Sequence, residues 1–153
     1  MEWRMMTEAD LPGVVALAGV VHPQHPERPE IFAERLALAP GFCWVLGEGL
    51  GYALAHPWSG EAPPLDTLLG ALPRPAEALH LHDTALAPEA RGKGRAEAMV
   101  ERLAAVGAAG GIGQMTLVAV AGKGGYWRRR GFGPVAEAAG YGPDAWLMVR
   151  ALG

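Results

Sequence analysis

The run from His80 to Ala96 constrains this chain more than any other, because it joins an extended segment to a helix through a turn with few backbone choices. Leu79 and Leu81 fall on one face of the extended segment and His80, His82 and Thr84 on the other, since successive strand side chains point to opposite faces. Arg91, Gly92, Lys93, Gly94, Arg95 and Ala96 then form a Gly-rich turn. Past it, apolar residues recur at Ala96, Met99, Val100, Leu103 and Val106, the three-and-four spacing of a helix. Strand, glycine turn and helix in that order set a row of backbone N–H groups at a helix N-terminus. Those groups have no partner inside the helix and the dipole favours negative charge, so the element reads as a site for a phosphate-like anion. Arg91, Lys93 and Arg95 add positive charge to the same spot.

The rest of the composition narrows the setting. At 153 residues, half of them hydrophobic and 19% charged, the expectation is one globular domain spanning 1–153. A net charge of −3 gives no general reason to bind nucleic acid. The single cysteine, Cys43, excludes an internal disulfide and reads as an inert core residue. The charged start, Glu2 to Glu8, lacks the apolar core of a signal peptide, and no stretch approaches the ~20 apolar residues of a membrane helix. The expected setting is the cytoplasm, with no membrane partner.

Along the chain, residues 3–6 read as a first strand, and Thr7 with Asp10 as a capping box before a helix that buries Leu11, Val14, Val15 and Ala18. Pro23, Pro26 and Pro29 break the chain after it, and His22 and His25 in that loop read as solvated, with contact to substrate the lesser alternative. A second helix starts near Pro29, with Ile31, Phe32, Leu36 and Leu38 inward. Phe42–Leu46 and Leu50–Ala55 read as a β-hairpin across Gly47, Glu48 and Gly49. Residues 57–78 are a long Pro- and Gly-rich loop with room for a short helix near Leu65–Leu69. After the helix of residues 93–109, Met115–Val120 reads as a strand buried on both faces. Gly125–Gly131 reads as a short helix whose Arg128, Arg129 and Arg130 are solvated, and Ala145–Arg150 as the closing strand. Asp66 has no evident partner.

Two motifs resemble the GNAT superfamily of acyl-CoA-dependent N-acetyltransferases. The superfamily's phosphate-loop signature is Arg or Gln, two residues, Gly, one residue, then Gly or Ala; here it reads Arg91, Gly94, Ala96, preceded by Pro88. Its second landmark, an aromatic pair, three residues, then Gly-Phe, reads Tyr126, Trp127, Gly131, Phe132. Within the superfamily the chain is most similar to serotonin (aralkylamine) N-acetyltransferases, through His80 and His82 and through residues 38–45. The resemblance implies an α/β fold with a mixed, mostly antiparallel sheet of six to seven strands and helices on both faces. It implies acetyl-CoA as co-substrate, no metal, and a primary amine as acceptor, a small molecule favoured with a protein N-terminus left open, and a homodimer left open as the oligomeric state. Two positions depart from the pattern: a tyrosine often serves as general acid where Trp127 stands, and an asparagine often stands where Val120 does.

Acetyl transfer to an amine sets requirements that these residues can be matched to. The loop Arg91, Gly92, Lys93, Gly94, Arg95, Ala96 would hold the CoA pyrophosphate. An amine of pKa ~10.4 must lose a proton, which an imidazole of pKa ~6.5 can take directly or through water. His80 and His82 are the expected bases; the alternative is that Asp83 or backbone carbonyls satisfy them as structural residues. Backbone N–H groups from Thr84 to Leu86, exposed by the strand bulge the family carries there, would polarise the carbonyl. Trp127 is expected to pack along the cofactor, since an indole cannot protonate a thiolate. Tyr126 and Trp58 are the expected acceptor-binding residues, though Trp58 reads equally as part of a surface loop. Two rival readings remain: a catalytically silent CoA-binding sensor, suggested by Trp127 and Val120, and a nucleotide hydrolase. The hydrolase reading is poor, because Lys93-Gly94-Arg95 lacks the Lys-Ser/Thr that places a hydroxyl on magnesium.

Overall fold

The apolar runs of the sequence pair into one seven-stranded sheet in a computed structural model that describes residues 1–153. The strands are β1 (Trp3–Met5), β2 (Cys43–Leu46), β3 (Gly51–Trp58), β4 (Ala78–Leu86), β5 (Gln114–Ala119), β6 (Gly133–Glu137) and β7 (Trp146–Ala151), and the helices are α1 (Leu11–Val21), α2 (Pro29–Leu38), α3 (Arg95–Ala109) and α4 (Gly124–Arg128). The sheet order is β1-β2-β3-β4-β5-β7-β6, and every pair is antiparallel except β4 with β5. That one parallel contact follows from the crossover through α3, which returns the chain to run in the same direction.

Each face of the sheet buries its own core. Met99, Val100 and Leu103 of α3 pack with Leu79, Leu81, Met115, Leu117 and Met148 on one face. Val14 and Leu17 of α1 and Ile31, Phe32 and Leu36 of α2 pack with Cys43, Tyr52, Leu54 and Ala85 on the other. Leu38 is only half-buried, and Arg35 occupies a fully buried place on α2 instead. Cys43 is sealed in the second core, and burial pushes its thiol up to about 12.

Several expectations shift. Residues 133–137, not read as a strand, form the edge strand β6, where Pro134 is tolerated because edges carry fewer ladder bonds. The long loop shortens because β3 runs on to Trp58, and Leu65 and Asp66 make a turn rather than a helix. This loop is tied down. Asp66 accepts from the Arg28 backbone N (2.8 Å) and Nε (3.0 Å), and Glu34 accepts from the amides of Leu69 (2.7 Å) and Gly70 (2.9 Å).

Candidate active site

A break in strand pairing creates the main cleft. β4 and β5 pair only at Leu79↔Met115, His80↔Thr116 and Leu81↔Leu117. Beyond that, β4 follows β3 and β5 follows β7, so their facing edges diverge. The divergence coincides with an irregularity in the β3–β4 register: Leu54 faces Asp83 but Ala55 faces Leu81, which leaves His82 as the extra residue of a bulge. A bulge bends and twists its strand. The outcome is a cleft of about 910 Å³ walled by Leu81–Leu86 on one side and Leu117, Val118 and Val120 on the other.

The same bulge corrects the reading of the histidine strand. Alternation would put His80, His82 and Thr84 on one face, but the inserted residue flips the pattern midway. Thr84 faces Ala53, on the α3 side with Leu81, while Asp83 faces Leu54, on the α1/α2 side. His80 is 1% exposed and does not reach the cleft; its Nδ1 lies 2.8 Å from Thr116 Oγ1. Burial holds its imidazole well below the usual value, with His56 and His82 adding to the effect. His56, which the sequence reading passed over, sits beside it at 5.6 Å between ring centroids and is pushed down by burial to about 4.

On the α3 side the cleft meets the Gly-rich turn. Gly92 (φ 78°) and Gly94 (φ 71°) adopt left-handed backbone, which a side chain resists. No heavy atom lies within 4 Å of a Cβ built at Gly92, and only Glu97 Oε2, at 3.9 Å, meets one at Gly94. Helix α3 starts at Arg95, two residues later than expected, and no side chain caps it. Arg91 and Arg95 brace the turn by donating to the carbonyls of Leu86 (3.0 Å) and Ala90 (3.3 Å). Arg91, Gly92, Gly94, Arg95 and Ala96 all line the cleft; Lys93 is exposed outside it. Thr84, Leu86, Tyr126 and Trp127 line it too, Trp127 wedged edge-on between Tyr126 and Phe132. Arg130 is not solvated as expected: it stacks over Tyr126, 3.5 Å from the ring centroid, and pairs with Glu97. Trp58 lies outside the cleft, packing on His56 and donating to the Glu61 carbonyl at 2.7 Å. Its indole is committed there.

On the α1/α2 side the cleft carries polar groups that the sequence reading did not bring together. His22 and His25, expected to be solvated, both line it. His22 Nε2 lies 3.0 Å from Asp83 Oδ1 and 3.0 Å from the Thr84 carbonyl. Asp83 Oδ2 accepts from the Tyr52 hydroxyl at 2.6 Å. His82 Nε2 lies 2.8 Å from Glu27 Oε1, both side chains almost wholly buried, and Glu27 Oε2 accepts from the Asp66 amide at 2.9 Å. Tyr141, Leu65 and Lys123 complete this end. No helix is long and apolar enough to cross a membrane.

The chain matches the acetyltransferase (GNAT) family over residues 4–132. Among solved structures it is similar to the GphF GNAT-like decarboxylase bound to isobutyryl-CoA, with TM-score 0.82 and 18% identity over 100% of both chains. It is similar to Ard1 from Thermoplasma volcanium, with TM-score 0.77 and 14% identity over 98% of this chain and 96% of that one. A third likeness is to the ribosomal-protein-S18-alanine N-acetyltransferase from Escherichia coli, with TM-score 0.68 and 15% identity over 98% and 92%. At such identities these likenesses speak for the fold. Comparison with curated protein sequences finds no match.

Proposed function

The chain belongs to the acetyltransferase (GNAT) family, and from that premise we propose that it moves an acetyl group from acetyl-CoA to the primary amine of a small molecule by direct attack. The observation that carries this reading is the cleft, which joins an uncapped helix N-terminus on the α3 side to paired imidazoles and carboxylates on the other. Arg91, Gly92, Gly94, Arg95 and Ala96 fit a pyrophosphate: the glycines leave the space a Cβ would fill open beside the backbone, with positive charge around it. Lys93 would act there only at long range. Bound acetyl-CoA would supply an activated acyl group and a thiol of pKa ~8.5 as leaving group.

The protein's own groups would do the rest. Thr84, Ala85 and Leu86, beyond the bulge, would offer backbone N–H groups to the acyl oxygen. Trp127 would form an apolar plate beside the acyl chain, and Tyr126 would bound the acceptor. The amine's proton would leave through an imidazole in the cleft wall. His80, sealed behind the wall, would contribute only by packing against His82 and His56. Since His80 and His82 do not act as an open pair, the acceptor is proposed as a small primary amine without narrowing it to aralkylamines. Trp127 and Val120 in the wall favour a second reading, a CoA-binding sensor without turnover.

One experiment separates the readings. Thiol release from acetyl-CoA is followed with 2-phenylethylamine, spermidine, an aminoglycoside and an alanine-initiated peptide, and CoA binding is followed by calorimetry. CoA binding with turnover of a small amine is expected; binding with no turnover of any of them supports the sensor. Gly94→Glu should abolish CoA binding with the circular dichroism spectrum retained. Unchanged CoA affinity in that folded variant would sink the loop assignment.

A further inference from the structure

We propose that His22, oriented by Asp83, accepts the proton of the incoming amine, and that Tyr52 holds Asp83 in place for it. The proposal rests on the acetyl-transfer reading and assigns its base to a residue outside the β4 histidine pair.

The first argument is the tautomer. His22 follows the last residue of α1, and its own backbone N–H donates to Ala18 (2.8 Å), so the ring is carried on a closed helix end. Its Nε2 faces Asp83 Oδ1 and the Thr84 carbonyl, each at 3.0 Å. A carboxylate and a carbonyl can only accept, so Nε2 carries the hydrogen and the lone pair of the neutral ring sits on Nδ1. The side chain is 32% exposed and lines the cleft, so this lone pair is open to a ligand.

The second argument is elimination. His82 has the same polarity, since Glu27 fixes its hydrogen on Nε2, but its Nδ1 is buried without a partner. His80 and His56 lie behind the wall. His25 faces the cleft, yet its Nε2 partner is the Tyr141 carbonyl (3.1 Å), which orients a ring without neutralising its charge. Only His22 combines an open lone pair with a carboxylate behind it.

The third argument is the support. The bulge at His82 turns Asp83 to the α1/α2 face, where Tyr52 (2.6 Å) and His22 occupy its two oxygens. Tyr52 is fully buried and burial pushes its phenol up, so it remains a donor at any working pH. A carboxylate with both oxygens engaged fixes the ring plane and stabilises the imidazolium that forms. In the step itself an ammonium N–H bond breaks, Nδ1–H forms, and the electron pair stays on the amine nitrogen. His22 then returns that proton to water in the open cleft. The proton lost on acylation leaves with the thiol.

The charged groups facing His22 are Asp83 from β4 and Lys123 from the turn before α4, while Glu27 and His82 face each other nearby. Burial opposes the imidazolium, but the hydrogen bond and charge of Asp83, with the Thr84 carbonyl, outweigh burial and Lys123 together, leaving His22 raised above its usual value. Activity should therefore rise with pH through a limb above the ordinary imidazole value of ~6.5.

The test uses the intact protein in two arms. Nitrogen NMR of the imidazoles should show His22 as the Nε2–H tautomer, and Asp83→Asn should lower its titration midpoint. In thiol-release assays with the panel amine giving most turnover, His22→Gln should lower kcat on the order of 10²–10⁴ and abolish the acid limb, with CoA affinity kept. Asp83→Asn should move that limb to lower pH, and Tyr52→Phe should weaken the effect of Asp83 in the same direction. A His22 ring indifferent to Asp83→Asn, or a His22→Gln enzyme that keeps the limb and its turnover, overturns the proposal while leaving acetyl transfer standing. A wild-type protein that releases no thiol with any panel amine overturns acetyl transfer itself and the base role with it.

Discussion

Glu27→Ala should be the most destabilising single substitution at the cleft wall. Glu27 and His82 form a buried pair, 4% and 0% exposed at the side chain, at 2.8 Å. Removing the carboxylate strands the His82 Nε2–H in a ring whose Nδ1 already lacks a partner, and frees the Asp66 amide. A charge-assisted hydrogen bond contributes about 1.5–3 kcal/mol, and a second, backbone bond about 1. The expected loss is therefore about 2.5–4 kcal/mol, overlapping the range for breaking a buried pair from one side. For a chain of this length that corresponds to a drop in Tm of about 5–16 °C. Glu27→Gln keeps one acceptor oxygen, enough for only one of the two donors, and should lose less than Glu27→Ala, about 1–3 kcal/mol. Burial alone would raise the Glu27 carboxyl, but the hydrogen bond and charge of His82, with the Asp66 amide and Arg35, outweigh it and hold it below the usual value. A depressed carboxylate stabilises the fold above its unfolded value of ~4.3 and loses that contribution as pH falls through the folded value. The gap between wild type and Glu27→Gln should thus be full at pH 7 and shrink below about pH 4. Urea melts across pH check both statements. A Glu27→Ala protein within 2 °C of wild type, or a gap that widens in acid, would refute the pairing.

Two further outcomes follow from the cleft and the core. Trp127→Phe should keep most of the turnover, because the ring acts there as an apolar plate between Tyr126 and Phe132, whereas Tyr126→Phe asks whether its hydroxyl helps the thiolate leave; kinetics showing a loss of three or more decades for folded Trp127→Phe would contradict the plate. Cys43, fully buried with its thiol pushed up to about 12, should resist a disulfide reagent at pH 8 and react only at the rate of unfolding, which a labelling time course in increasing urea will show.

Six of the seven strands, the helices and the glycine turn were legible in the sequence because these depend on local periodicity and on turn residues. Gly92 and Gly94 announce a left-handed turn, and the spacing Met99, Val100, Leu103 announces the buried stripe of α3. β6 was illegible for a physical reason: an exposed edge strand with Pro134 and mostly outward side chains has no apolar alternation to read. The partners of the imidazoles were illegible because they are long-range. Glu27 lies between two prolines in what reads as an open loop, and its meeting with His82 depends on the path the chain takes from α1 to α2. His22 looked solvated because nothing near it in sequence could pair with it.

One residue of irregularity accounts for the largest gap between sequence and site. Perfect alternation along β4 would direct His80, His82 and Thr84 into a common space and turn Asp83 away from α1. The inserted residue at His82 instead places Asp83 against Tyr52 and His22, leaves His80 bonded to Thr116, and coincides with the point where β4 parts from β5. A bulge leaves no mark in hydrophobic periodicity, since it shifts the register of one strand against its neighbour without changing the composition of either. The same shift that opens the cleft therefore also selects which imidazole faces it, and moves the candidate base from the strand that the motif marks to the end of the helix that packs across it.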